Sequence, residues 1–153
     1  MSMSTEERID QLESRFAMLD LVSDYCLGFD KRDFDRFMNI WWPDATWEIG
    51  PPFGNFDGHE GITHAVKDVL WPAWKQATHY TTNLRVEFKD RDHADGVCDV
   101  DCIGTTSDGL ARTVGATYTD RFERRNGVWK IVYRHVKMHH FSELVGVTLA
   151  PPQ

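Results

Sequence analysis

At about Thr81 the hydrophobic period of this chain changes from three-and-four spacing to alternation, and that change limits the fold more than any other feature. Upstream, residues 5–29 place Ile9, Leu12, Phe16, Leu19, Val22, Cys26 and Phe29 on one stripe, which predicts an amphipathic helix capped by Ser4 or Thr5. A short helix fits 33–42, capped by Asp33 and stopped by Pro43, and "ATWEI" (45–49) reads as a short strand. Residues 50–58, "GPPFGNFDG", read as a loop, and 59–77 as a third helix broken or kinked at Pro72. Downstream, 81–89, 96–107, 111–124 and 127–141 read as four strands, the last two joined at Asn126-Gly127, a strong hairpin signal. Three helices and a short strand followed by a four-stranded meander give an α+β plan, with the helices gathered on one face of the sheet. At 153 residues a single domain spanning 1–153 can bury a core without disulfides or metal.

Charge removes several functional classes. Seventeen Lys and Arg against 24 Asp and Glu give −7, so neither nucleic acid nor an anionic membrane is an expected partner. No apolar run approaches the ~20 residues of a membrane span, and the charged start, "MSMSTEERIDQLESRF", does not read as a signal peptide. Cys26, Cys98 and Cys102 are odd in number and read as reduced thiols of a cytoplasmic protein. The last strand carries Val128, Val132, Arg134, Val136 and Met138 on one face and Trp129, Ile131, Tyr133 and His135 on the other. Both faces are largely apolar and three short helices cover only one, which predicts a homo-oligomer.

Helices laid into a curved sheet enclose a pocket, and a few polar residues fall where that pocket should be. Asp30 follows the apolar stripe of the first helix, and a buried acid needs a partner. His79 stands where the helical pattern gives way to the alternating one. Arg134 is a charge among valines, and Trp47 supplies a large flat wall. A carboxylate that accepts one imidazole N–H leaves the other nitrogen free to take a proton and stabilises the imidazolium that results. An arginine across the cavity stabilises charge on a departing group. This chemistry calls for neither metal nor cofactor. His135, His139 and His140 do not read as a metal site, because His135 and His139 lie ~13 Å apart on a strand at about 3.3 Å per residue. His59, His64 and His93 read as solvated.

The segments "SDYCLGFDKRDFDRFMNIWWPDATW", "VLWPAWKQATHYTTNLRVEF" and "GATYTDRFERRNGVWKIVYR" resemble the hexachlorocyclohexane dehydrochlorinases, SnoaL-like members of the NTF2-like (cystatin-like) superfamily. That superfamily also contains scytalone dehydratase. The resemblance runs from about Leu19 to Arg134 and implies a cone of three N-terminal helices on a curved, mostly antiparallel sheet. It further implies a homotrimer, no cofactor, and a small hydrophobic substrate that undergoes β-elimination. Carried onto this chain, it makes His79 the base, Asp30 its orienting carboxylate, and Arg134 with Trp47 the residues that bind the leaving group. Cys26, Leu70, Trp74 and Tyr118 fall in the substrate-binding wall. The chain departs from that pattern in the Pro-rich loop 50–58, at the wall residues Cys26, Trp74, Ala77 and Ala116, and at Tyr25, where a dehydrochlorinase can carry lysine; a tyrosine can donate a hydrogen bond to an oxygen, which suits loss of water better than loss of chloride. Rival expectations are a dehydratase or isomerase of a hydroxylated or ketonic ring, and a non-catalytic ligand-binding or assembly subunit.

Overall fold

The computed structural model describes residues 3–151. Helix α1 (Thr5–Asp30) starts at Ser4, whose Oγ accepts from the Glu7 N–H at 3.1 Å while the Glu7 carboxylate accepts from the Ser4 N–H at 2.6 Å. This reciprocal cap satisfies two backbone donors that a helix start otherwise leaves open. The buried face of α1 is not the predicted stripe. Ser14, Met18, Val22, Tyr25, Gly28 and Phe29 are buried, whereas Ile9, Leu12, Phe16 and Leu19 are 49%, 56%, 65% and 47% exposed. Spacing marks where apolar side chains stand on a helix, but the sheet determines which of them find a surface to cover. Val22 and Phe29 belong to both sets.

Helix α2 (Phe34–Asn39) is capped by Asp33, which accepts from the Arg36 N–H at 3.1 Å. It ends before the tryptophans, so Trp41 and Trp42 open strand β1 (Trp41–Gly50) rather than closing a helix. Pro43 lies inside that strand, in the stretch between Trp41 and Thr46 where the pairing shifts register. The expected loop contains a short strand, β2 (Gly54–Asp57), which pairs back on β1 with Trp47 opposite Phe56. Helix α3 (Gly58–His64) widens into π-helical turns over Ala65–Leu70 and ends with one α-turn at Trp71–Ala73. Strand β3 (Trp74–Phe88) therefore begins inside the region read as helix, and His79 lies within a strand rather than at a junction.

Strands β4 (His93–Thr106), β5 (Ala111–Arg125) and β6 (Val128–Glu143) complete one six-stranded sheet of order β2-β1-β6-β5-β4-β3. Every pairing is antiparallel except β1 with β6. Opposite β5, β6 carries a bulge: Phe122 pairs with Ile131 and Arg121 with Tyr133, which leaves Val132 over. One inserted residue reverses the facing of everything beyond it. Trp129 and Ile131 therefore point into the core together with Arg134, although strict alternation placed them on opposite faces. The outer face is correspondingly polar. Tyr133 donates to Glu48 at 2.7 Å and lies under the Arg121 guanidinium, while Thr117 donates to Asp99 at 2.7 Å. The argument for an oligomer from a second apolar sheet face loses its basis there. Among the described residues no helix is long and apolar enough to cross a membrane.

Candidate active site

Asp30 is the last residue of α1, and its carboxylate meets β3 at His79. Asp30 Oδ2 accepts the backbone N–H of His79 at 2.7 Å, and Oδ1 lies 2.6 Å from His79 Nδ1. A carboxylate only accepts, so Nδ1 carries the proton, and Nε2 is left at the cavity wall beside Cys102, the cross-strand partner of His79 on β4. The two side chains are only 11% and 7% exposed. The edges of Phe29 and Tyr25 confine the imidazole, with ring centroids 5.2 and 6.1 Å away. Burial opposes the imidazolium, but the Asp30 bond, with help from Cys102, more than offsets it and lifts the His79 pKa well above its ordinary value.

The cavity beside His79 is lined from α1, the π-helical turns and five of the six strands. Tyr25 and Phe29 come from α1, Trp47 and Ile49 from β1, Leu70 from the π-helical turns, and Trp74 from β3. Val100 and Cys102 come from β4, Ala116 and Tyr118 from β5, and Val136 and Met138 from β6. Its volume, about 70 Å³, is several times what one water needs. Of the residues expected in the substrate-binding wall, Tyr25, Trp47, Leu70, Trp74 and Tyr118 line it. Cys26 does not: its Sγ sits 3.0 Å from Thr81 Oγ1, in a separate groove between α1 and β3. Consecutive helical residues point about 100° apart, so Tyr25 and Cys26 cannot both face the cavity.

Arg134 is fully buried, and its setting differs from the one expected. Its Nε and Nη2 donate to the two oxygens of Asp120, each at 2.7 Å, and both side chains are sealed from solvent. The guanidinium lies 4.3 Å from the Tyr25 ring centroid and 4.4 Å from that of Tyr118. Arg134 thus stands behind the cavity wall, and its charge reaches the cavity through two aromatic rings. Burial disfavours that charge, but Asp120 outweighs the effect and raises the arginine pKa. Sequence reading missed Asp120. The signal was there: Ala116, Tyr118, Asp120 and Phe122 stand at alternate positions of β5, and all four are buried. Among the described residues, the buried N–H groups of Trp41 Nε1, Trp47 Nε1 and Arg134 Nη1 have no partner.

Four of the other histidines are engaged elsewhere. His139 Nε2 lies 2.8 Å from Thr117 Oγ1 on the outer face, and His64 and His93 pair with Asp68 and Asp90 near the surface. His59 was expected in solvent but is part-buried, its Nε2 3.0 Å from the Trp41 carbonyl oxygen. Among the described residues no cluster of three His, Cys, Asp or Glu could hold a metal ion.

Comparison with known proteins agrees with this architecture. Over 145 residues the chain is 42% identical to hexachlorocyclohexane dehydrochlorinase 1 of Sphingobium indicum, spanning 94% of each chain. Its fold superposes on the crystal structure of LinA with a TM-score of 0.91 at 40% identity, covering 95% of this chain and 99% of that one. A protein with a cystatin-like fold from Nostoc punctiforme, 15% identical, shares the fold alone, with a TM-score of 0.69 over 90% of this chain and 95% of its own. The SnoaL-like domain model matches residues 10–135, and the chain belongs to that family.

Proposed function

We propose that this chain is a lyase acting on a small, largely apolar ring compound, taking a proton from one carbon and a leaving group from the next, with the His79–Asp30 pair as general base. The observation that carries this reading is the 2.6 Å bond between His79 Nδ1 and Asp30 at the wall of an apolar cavity. Asp30 fixes the tautomer that leaves Nε2 free to take the proton, and its charge then meets the imidazolium. The apolar walls keep water away, which strengthens that interaction. Similarity to dehydrochlorinases makes chloride the first leaving group to examine. Chloride departs as an anion without needing a proton, and the positive charge of Arg134 lies beneath the wall it would leave along. Proton transfer to imidazole requires no metal or cofactor, so the reaction is cofactor-independent. Assembly into a homotrimer belongs to the same proposal, and light scattering measures it.

The test is chloride release from a panel of chlorinated cyclohexanes by purified protein, in chelator and without cofactor. Release that depends on His79 and Asp30 supports the reading. Release that persists in a folded His79→Ala variant sinks it. Product analysis in deuterated water separates elimination from isomerisation, which returns a proton to carbon and expels nothing.

A further inference from the structure

The polar groups that face the cavity are not those best suited to a halide. Trp47 lines it, but its single N–H is sealed, and so is the unpaired Nη1 of Arg134. The other polar side chains in the lining are His79, Cys102, Tyr25 and Tyr118. The two tyrosines form a unit. Their ring centroids are 5.5 Å apart in an edge-to-face contact, and the Arg134 guanidinium lies over both rings. Tyr25 is held on every side, edge-on to His79, Trp47 and Tyr118.

We infer that Tyr25 is the general acid of a carbon–oxygen elimination in this cavity, so that the substrates of this chain include ring compounds with a hydroxyl β to an acidified C–H. The inference deepens the proposed function and rests on its assignment of His79 as the base. A leaving hydroxide, unlike chloride, must be protonated as it departs, because its conjugate acid is water, with a pKa of about 15.7. A phenol is a far stronger acid than water, near 10 when unperturbed, and delivers that proton downhill even when burial weakens it. Burial does raise the Tyr25 pKa, while the Arg134 charge and the Tyr118 hydroxyl work the other way. Those two groups stabilise the phenolate that forms, which makes Tyr118 and Arg134 positioning residues for the acid.

The step balances. His79 Nε2 takes the proton from carbon, and the C–H electron pair becomes the new C=C bond. The C–O bond breaks, and Tyr25 gives its proton to the departing oxygen, which leaves as water. The imidazolium then returns a proton to the phenolate through solvent that enters as the product leaves. The net change is substrate to alkene plus water.

The experiment compares a β-hydroxycyclohexanone with its β-chloro counterpart, both of which give the same enone, for the wild type, Tyr25→Phe and Tyr118→Phe. Enone formation is corrected for the uncatalysed rate. The wild type should eliminate both groups. Tyr25→Phe should lower water loss at least ~100-fold more than chloride loss, and Tyr118→Phe should shift the ratio the same way by less. A merely structural tyrosine lowers both losses in proportion, so an unchanged ratio overturns the assignment. A wild type that expels chloride but not water overturns it as well. Chloride loss that survives His79→Ala is a separate failure: it removes the base, and with it the proposed function and this inference together.

Discussion

Replacing Asp30 with Asn tests the proposed base with a change of one atom, and the structure sets the size of the effect. The carboxylate accepts two N–H groups of the same residue, Nδ1–H at 2.6 Å and the backbone N–H at 2.7 Å. An amide offers one acceptor and one donor, so it cannot serve both. If its oxygen keeps Nδ1–H, its NH₂ faces the backbone N–H, and a nearly buried donor is left unpaired at a cost of about 1–3 kcal/mol. If it turns round, its NH₂ faces Nδ1 and selects the tautomer with the proton on Nε2, where no lone pair remains to act as base. In either arrangement the imidazolium also loses a charge-assisted bond, about 1–2 kcal/mol beyond a neutral one. Together these amount to about 2–5 kcal/mol, a loss of roughly 30- to 5,000-fold in turnover. Because Asp30 no longer supports the imidazolium, the ascending limb of the pH–rate profile should also move to lower pH. The assay is initial-rate chloride release across pH, with circular dichroism to show that the variant is folded. A folded Asp30→Asn enzyme within threefold of wild type, with its limb unmoved, refutes the reasoning.

Asp120→Ala leaves the sealed Arg134 charge without its partner and should cost about 3–5 kcal/mol of stability, read from urea unfolding; an unchanged midpoint would mean that the pair is not buried as described. The raised His79 pKa gives stability that is fully present below the unfolded value of 6.5 and disappears as pH rises through the folded value. The melting-temperature advantage of wild type over His79→Gln should therefore shrink as pH climbs above 6.5, and a constant gap would contradict the shift. Gly28→Ala should cost about 1–3 kcal/mol, because a Cβ there would lie 2.7 Å from the Phe37 backbone nitrogen and 2.8 Å from its Cα where α1 meets α2. Unaltered thermal stability would show that the two helices separate freely.

The alternation after Thr81 and the helical spacing before it were enough to read an α+β plan, and the acid after an apolar stripe brought Asp30 and His79 forward as candidates whose roles came from the family resemblance. Those signals are local: side-chain direction follows from sequence wherever the backbone stays regular. Where it does not, the reading failed for identifiable reasons. The single extra residue Val132 reverses the facing of β6 and turns an apparently apolar outer face into a polar one. The bulge has no signature in hydrophobicity, because Ile131 and Val132 are equally apolar. The face of α1 that is buried depended on where the sheet and α2 lie, so Tyr25 went inward while Phe16 stayed 65% exposed. The partner of Arg134 lies fourteen positions away on the neighbouring strand, and only the β5–β6 register brings Asp120 opposite it. The sequence by itself determined the kinds of element, their order and the chemical types available to a site. The tertiary structure decided which groups touch, because contact between distant residues depends on register, bulges and the faces that packing leaves to be covered.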